Sequence, residues 1–262
     1  MRALVLSGGL GERLRPITLE TPKPLLEVGG RLLIHYPLLM LKQAGITEVA
    51  INVHHLPGCF HKALGNGAQL GMRITYAPEP LLLGSGGPFL TLKDFFGDQP
   101  FVVLNADSIL DIDLGKMIEF HRDRGSLVTV TLHNHIRENY YSRIEVDAEQ
   151  RIRRMRLLRG KSREFEDFPP AMELAVADRL QPLMFSGGYI CEPSVLSRMP
   201  KCPPFSSMRD VFAPMVSEGL PLFGYVHEGW FRTVDDLTGY EALKREFVEQ
   251  PPRLRYLEQR CA

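Results

Sequence analysis

The stretch Ala3-Leu-Val-Leu-Ser-Gly-Gly-Leu-Gly-Glu-Arg-Leu-Arg-Pro16, followed by Thr21-Pro-Lys-Pro24, decides the reading of this 262-residue chain. A strand-sized apolar run gives way at once to glycines and then to cations and prolines. Gly8, Gly9 and Gly11 let backbone N–H groups close on a polyphosphate with no Cβ in the way, and Arg13 and Lys23 supply fixed positive charge. The leaving pyrophosphate of a nucleoside triphosphate calls for that chemistry, because negative charge gathers on it as the bond breaks. A plain tight turn between strand and helix would explain the glycines equally well on geometry alone. Two better-known glycine motifs do not fit: the Gly-Lys-Ser/Thr end of a Walker loop is missing, and so is the third glycine of a dinucleotide fingerprint, which weakens a dinucleotide-dependent oxidoreductase reading.

Outward from that loop, strand-like runs alternate with helical patterns. Hydrophobic periodicity predicts strands at Ala3–Ser7, Glu48–Val53, Arg73–Tyr76, Pro100–Leu104 and Ser126–Leu132, and helices at Ile34–Ala44 and Leu114–Arg124. This order implies an α/β chain, a Rossmann-like three-layer sandwich with a mixed, mostly parallel central sheet. From about Ser142 the texture changes to arginine-rich β-like segments, then the apolar strand Met184–Cys191 and a helical end. Residues Lys161–Pro182, with mixed charges and three prolines, read as a long loop or lid.

Composition excludes several classes. Lys+Arg and Asp+Glu balance at 31 each, so no chain-wide field attracts nucleic acid or anionic lipid. Arg151–Arg163 is rich in basic residues but lacks interleaved aromatics, and reads as a solvated face. Apolar runs are too short to span a membrane, and MRALVLSGG is too short and too quickly glycine-rich for a signal peptide, so a cytoplasmic location is expected. The four cysteines are scattered, which suits reduced structural thiols. His54, His55, His133 and His135 lack metal-ligand spacing and read as solvent or strand-end residues, and Trp230 as core or pocket wall. Asp107 follows an apolar strand, at the end where α/β sheets bind ligands, and a carboxylate there can hold Mg²⁺ against phosphate oxygens or simply cap a turn.

The loop, with Arg13, Pro16 and Pro22-Lys-Pro24, resembles the sugar-1-phosphate nucleotidyltransferases, whose signature is G-G-x-G-[T/E]-R-L-x-P followed by P-K-P. Tyr76-Ala-Pro-Glu79 with Gly84-Ser-Gly-Gly87 resembles that family's base-binding stretch, Asn105-Ala-Asp107 its metal-binding N-G-D, and Phe185-Ser-Gly-Gly188 its sugar-binding strand. The resemblance implies a reaction of an NTP with a sugar 1-phosphate that gives an NDP-sugar and pyrophosphate. It places Ser7, Gly8, Gly9, Gly11, Glu79, Gly84, Gly86 and Asn105 on the nucleotide, Arg13 on the departing phosphates and Lys23 on the α-phosphate. It puts Gly187 and Gly188 on the sugar, although strand packing alone would also explain glycines there. Arg159-Gly-Lys161 stands where many relatives have Glu-Lys-Pro, which carries a sugar-phosphate role to Lys161. One domain over 1–262 is implied, with a nucleotide part at about 1–135, a sugar part at 136–230 that includes the loop or lid at 161–182, and a metal-motif and helical end at 231–262. Homo-oligomerisation is compatible with all of this.

The family's late W-x-D-x-G-T motif corresponds to Phe231-Arg-Thr-Val-Asp-Asp236, anchored by Leu237 and Tyr240, and without a gap its metal-binding acid becomes Thr233. Side chains repeat direction every second residue along a strand, so Asp235 faces the same way as position 233 and is a candidate second ligand. The alternatives are that water fills the vacant positions around Asp107, or that the chain is a catalytically weakened, nucleotide-sugar-binding regulatory homologue.

Overall fold

In the computed structural model, which describes residues 1–134, 142–158, 165–169 and 179–257, the run ahead of the glycine loop is strand β1 (Arg2–Leu6). A short hairpin of β2 (Glu27–Val28) and β3 (Arg31–Leu32) leads into helix α1 (His35–Gln43). Then come β4 (Glu48–Val53), α2 (Pro57–Leu64), β5 (Arg73–Pro78), α3 (Pro88–Thr91) and α4 (Lys93–Phe96). The middle of the chain forms β6 (Phe101–Asn105), β7 (Ser108–Leu110), α5 (Leu114–Asp123) and β8 (Val128–His133). The later strands are β9 (Arg143–Val146), β10 (Ile152–Leu158), β11 (Phe165–Phe168), β12 (Gln181–Cys191), β13 (Leu222–His227) and β14 (Phe231–Thr233), and helix Leu237–Glu249 follows. Among the described residues no helix is long and apolar enough to cross a membrane.

The chain divides into two compact units, each assembled from separated stretches. Residues 1–82, 94–114 and 229 onward make the first; 83–93 and 115–228 make the second. Residues 83–93 and 115–134 belong with the second unit. The reason is local pairing, since β8 and residues 83–87 find their hydrogen-bond partners there.

In the first unit the strands run in the order β6-β1-β4-β5, all parallel, with Leu4 beside Ala50 on one side and Val103 on the other. Ala3, Leu4, Val5, Val49, Ala50, Ile51, Val102 and Val103 are fully buried, and so both faces of these strands are covered, which is the reason they read as continuous apolar runs. Helix α1 buries Tyr36, Leu38, Met40 and Leu41. Parallel order sends every strand's carboxyl end to the same edge, and the glycine loop leaves from that edge.

The second unit is built differently: β11-β10-β9-β12-β8 is antiparallel throughout, and β13 joins β8 in parallel. Two sequence expectations are corrected here. Within the stretch expected to be a loop or lid, Phe165–Phe168 is a strand paired to β10, and Gln181 and Pro182 already belong to β12. The arginines of β10 are not a free solvated face: Arg154 pairs with buried Glu145 at 2.6 Å, Arg156 with Asp167 at 2.8 Å and Arg153 with Asp147 at 3.1 Å. Arg143 and Arg156 also lie over the Phe165 ring. Charge composition alone hid this pairing, because the matching acids come from neighbouring strands or from a turn.

His121 of α5 is buried in this unit, with Nδ1 at 2.8 Å from the Thr129 hydroxyl and Nε2 at 3.2 Å from the Glu192 carboxylate. Neutral imidazole satisfies both contacts, accepting from Thr129 and donating to Glu192. Burial lowers its pKa below 6.5, and Glu192 offsets the effect only in part. The unfolded chain takes up this proton first as pH falls, so the stabilisation is complete above 6.5 and is lost as pH drops below it. Urea unfolding at about pH 7.5 and pH 5.5 checks this. The wild type should lose more stability on acidification than His121→Gln, and equal losses would exclude the assignment.

Candidate active site

At the end of β1 the backbone is fixed by one side chain. Asn52, near the end of β4, accepts from the Ser7 amide at 2.8 Å and donates to Glu79 Oε1 at 2.8 Å, while its carbonyl accepts from the Ser7 hydroxyl at 2.5 Å. Ser7, Asn52 and Glu79 are all buried. Gly8 lies directly over this cluster, where a Cβ would come within 2.7 Å of Asn52 Nδ2, so a side chain at 8 would push the bridge apart. His54 is held by the Glu79 carbonyl at 2.7 Å and His55 by the Thr18 carbonyl at 2.6 Å. Both lie just past the end of β4, the strand-end position expected of them.

Gly9 is exposed, and a Cβ added there would meet nothing within 4 Å. Gly11 turns the chain with φ 63°, a region that favours glycine, and its carbonyl accepts from Thr18 Oγ1 at 2.8 Å. The following single turn, Glu12–Leu14, buries Leu14 and leaves Arg13 68% exposed. A second short turn, Lys23–Leu25, buries Pro24 and Leu25 and carries Lys23.

Lys23 Nζ lies 2.5 Å from Asp107 Oδ2, with the lysine side chain only 12% exposed. Asp107 follows Asn105, the last residue of β6, and the chain is held there by the Ala106 amide on the Leu6 carbonyl at 3.0 Å. Its other carboxylate oxygen receives the Ser108 hydroxyl at 3.4 Å. The late motif reaches the same place: β14 pairs antiparallel with β7, which sets Thr233 opposite Ser108. The Asp107 carbonyl accepts from the Val234 amide at 3.0 Å and from Thr233 Oγ1 at 3.4 Å. Asp235 Oδ1 stands 3.3 Å from Arg13 Nη2, whereas Asp236 caps the following helix through the Gly239 amide at 2.8 Å. Tyr240 anchors that helix by donating to the Glu27 carbonyl at 2.9 Å. Trp230 packs on Phe247 and bonds Glu246, as part of the first unit's wall.

Thus Ser7, Gly8, Gly9, Gly11, Arg13, Lys23, Glu79, Asn105, Asp107 and Asp235 all lie in the first unit. Gly84, Gly86, Gly187 and Gly188 lie in the second. There the Gly86 amide donates to the Phe205 carbonyl at 3.0 Å, a Cβ at 86 would overlap the Phe205 ring, and Ser85 bonds Ser207. Gly84 and Gly86 thus pack on Phe205, and Gly87 packs on Leu83. Gly187 and Gly188 form an irregularity in the β12–β8 register, where the Gly188 amide and carbonyl both meet Thr131 Oγ1 at 3.0 Å. Lys161 and His135 lie outside the described residues. Asn52 and Ser108 were missed by sequence reading: an asparagine inside an apolar strand run is the one signal that pointed to Asn52.

Among the described residues no cluster of three or more His, Cys, Asp or Glu could hold a metal. The donors on offer are carboxylate oxygens, Asp107 first. That set fits Mg²⁺, which takes one or two carboxylates and completes its shell with substrate oxygens and water, and does not fit zinc.

The nucleotidyl transferase family matches residues 2–230. A probable mannose-1-phosphate guanylyltransferase 1 of Oryza sativa subsp. japonica is 30% identical over 244 residues, 92% of this chain and 63% of its own length. An N-acetylmuramate alpha-1-phosphate uridylyltransferase of Neisseria meningitidis serogroup B is 46% identical over 114 residues, 43% of this chain and 49% of the relative. A crystal structure of a putative glucose-1-phosphate thymidylyltransferase from Bacillus anthracis superposes with a TM-score of 0.76 at 21% identity, covering 94% of both chains, and so shares the α/β fold. The chain spans 57% to 66% of the length of the first curated relatives it matches.

Replacing Asn52 by alanine removes a buried bridge and leaves the Ser7 amide without its acceptor. Such a loss costs about 1–3 kcal/mol. Denaturant titration of Asn52→Ala should show a loss in that range, and a stability within about 0.5 kcal/mol of wild type would refute the bridge.

Proposed function

The chain belongs to the nucleotidyl transferase family, and from that premise we propose that it joins a nucleoside triphosphate to a sugar 1-phosphate, giving a nucleoside diphosphate sugar and pyrophosphate. What carries the reading is the convergence of three features at one edge of parallel strands: the glycine loop, the exposed Arg13, and Lys23 in contact with Asp107. Strand carboxyl ends are where α/β sheets receive ligands.

In the reaction a sugar-phosphate oxygen attacks the α-phosphorus in line, forming one P–O bond as the bond to pyrophosphate breaks. The nucleophile is already ionised, so no general base or covalent side chain is needed, and positioning with charge stabilisation supplies the rate. Lys23 binds the α-phosphate oxygens, where charge shifts during displacement. Arg13 binds the departing phosphates, and backbone amides from Ser7 to Gly11 hold the triphosphate. Asn52 acts one step back by fixing the Ser7 amide. Asp107, with Asp235 as second carboxylate, would hold Mg²⁺, which when bound supplies charge neutralisation between the phosphate oxygens. Gly84 and Gly86 shape the base-binding stretch, and Gly187 and Gly188 are assigned to the sugar by the family resemblance. A reaction that draws on nucleoside triphosphates places the protein in the cytoplasm.

The relatives' names divide among guanylyl, uridylyl and thymidylyl transfer, so the test spans those bases. Pyrophosphate release is measured with Mg²⁺, GTP, UTP or dTTP, and a panel of sugar 1-phosphates. At least one pair should turn over, and Lys23→Ala should lower its kcat by about 10²-fold or more. Nucleotide binding with no turnover of any pair would overturn the proposal.

A further inference from the structure

Asp107 stands where two structures meet. Behind it, the Ala106 amide is tied to the parallel strands through the Leu6 carbonyl. Ahead of it runs β7, which forms with β14 a separate ribbon of two three-residue strands. Two-stranded ribbons are marginal on their own, so whatever holds this one from outside sets where Asp107 lies. We propose that Glu246, on the helix Leu237–Glu249, is a positioning residue for Asp107: it clamps β14 to the helix and so fixes the ribbon that presents the carboxylate to Lys23. The inference rests on the nucleotidyltransferase reading and adds to it a residue that acts through another.

One carboxylate takes three hydrogen bonds from β14 and the residue before it. Glu246 Oε1 accepts from Trp230 Nε1 at 3.1 Å and from Arg232 Nη2 at 2.8 Å, and Oε2 accepts from Arg232 Nε at 2.9 Å. Two parallel bonds to one guanidinium fix direction as well as distance. The Arg232 guanidinium also lies over the Trp230 ring, 5.1 Å from its centroid, so the two clamped side chains brace each other. The segment held in this way is laced to residues 107–111 at both ends. The Asp111 amide donates to the Trp230 carbonyl at 2.8 Å and the Val234 amide to the Asp107 carbonyl at 3.0 Å, with Thr233 set opposite Ser108 between them. A shift of β14 therefore carries Asp107 with it.

The same helix holds the other half of the Lys23–Asp107 contact. Tyr240 donates to the Glu27 carbonyl at 2.9 Å, and Phe247 meets Tyr36 edge-on with ring centroids 5.8 Å apart. Phe247 lies so close to the β2–β3 hairpin that a Cβ on Gly29 would overlap its ring. That hairpin follows the Lys23–Leu25 turn directly and is tied back to it by the Ile34 amide on the Pro24 carbonyl at 2.8 Å. One helix thus carries the Lys23 segment through the hairpin and the Asp107 ribbon through Glu246. The Glu246 side chain is 28% exposed and that of Arg232 38%, so solvent screens their attraction, and the clamp acts through geometry more than through stability. Lys23 binds the α-phosphate oxygens in the proposed reaction, and a misplacement of about 1 Å near reacting atoms costs up to about 10²-fold in rate.

The test compares the wild type with Glu246→Ala, Arg232→Ala and the double variant, by amide hydrogen exchange and by pyrophosphate release with the substrate pair that the wild type turns over. In Glu246→Ala the amides of residues 107–111 and 230–234 should exchange faster, while those of Ser7, β1 and β4 keep wild-type protection. Its kcat per folded protein should fall about 10-fold with the nucleotide KM within about 2-fold of wild type, because the glycine loop stands on Asn52 and not on this ribbon. The single variants remove one shared interaction, so the double variant should be no slower than Glu246→Ala alone. A purely stabilising role would lower the melting temperature and leave kcat per folded protein unchanged. Trp230→Phe keeps a ring against Phe247 and removes one bond, so it should show the same exchange pattern in smaller measure even where Glu246→Ala fails to fold. Unchanged exchange at 107–111, or an unchanged kcat, would overturn the positioning role, and the enzymatic reading would stand on the wild type's turnover. If the wild type turns over no pair, that reading falls, and the exchange pattern alone decides whether Glu246 places Asp107.

Discussion

One amide side chain holds the floor of the site together. Asn52 meets the residue that follows β1 and the residue that follows β5, and it belongs to β4 itself, so a single group registers three strand ends against one another. Parallel strands have no hairpin turn to fix their relative height, and their slanted ladder leaves the last residues of each strand without partners. Satisfying those ends from a buried side chain gives the glycine loop a rigid base. Loops built on such a base can keep backbone N–H groups aimed at a ligand with little reorganisation when it binds.

Charge balance in this chain is achieved by arrangement as well as by number. The equal counts of acids and bases conceal a division of labour. In β10 the arginines are consumed by Glu145, Asp167 and Asp147, and lend rigidity to the second unit. At the strand-end edge of the first unit, by contrast, Arg13 meets Asp235 and Lys23 meets Asp107. Glu145 is buried beside Arg154, whereas Arg13 projects toward water.

Much of the first unit was legible because its physics is local. Continuous apolar runs ending in glycine or a polar residue marked β1, β4 and β6 to within a residue or so, and the 3.6-residue period marked α1 and α5. The placement of Arg13 and Asp107 near the carboxyl ends of β1 and β6 was legible because each comes a few residues after such a run. What stayed hidden depends on distant partners. No local pattern says that β14 pairs with β7, that residues 83–87 fold onto Phe205, or that Asp235 turns to Arg13 while Asp236 caps a helix. The strand Phe165–Phe168 resembles a loop in sequence because its mixed charges mask a ladder whose stabilisation comes from β10.

The interleaving of the two units has a consequence for how the molecule is born. The strand β14 that completes the Asp107 neighbourhood follows β7 by more than a hundred residues, and residues 115–228 of the second unit are made in between. On a ribosome that emits the chain from its amino end, the glycine loop and Asp107 emerge long before the segment bearing Asp235. The first unit must therefore wait, partly formed, for its closing strand, and pairings of such long separation are slow to find. A chain released early would carry the glycine loop and Asp107 without Asp235, so a half-made molecule differs from a finished one in its acids before it differs in that loop.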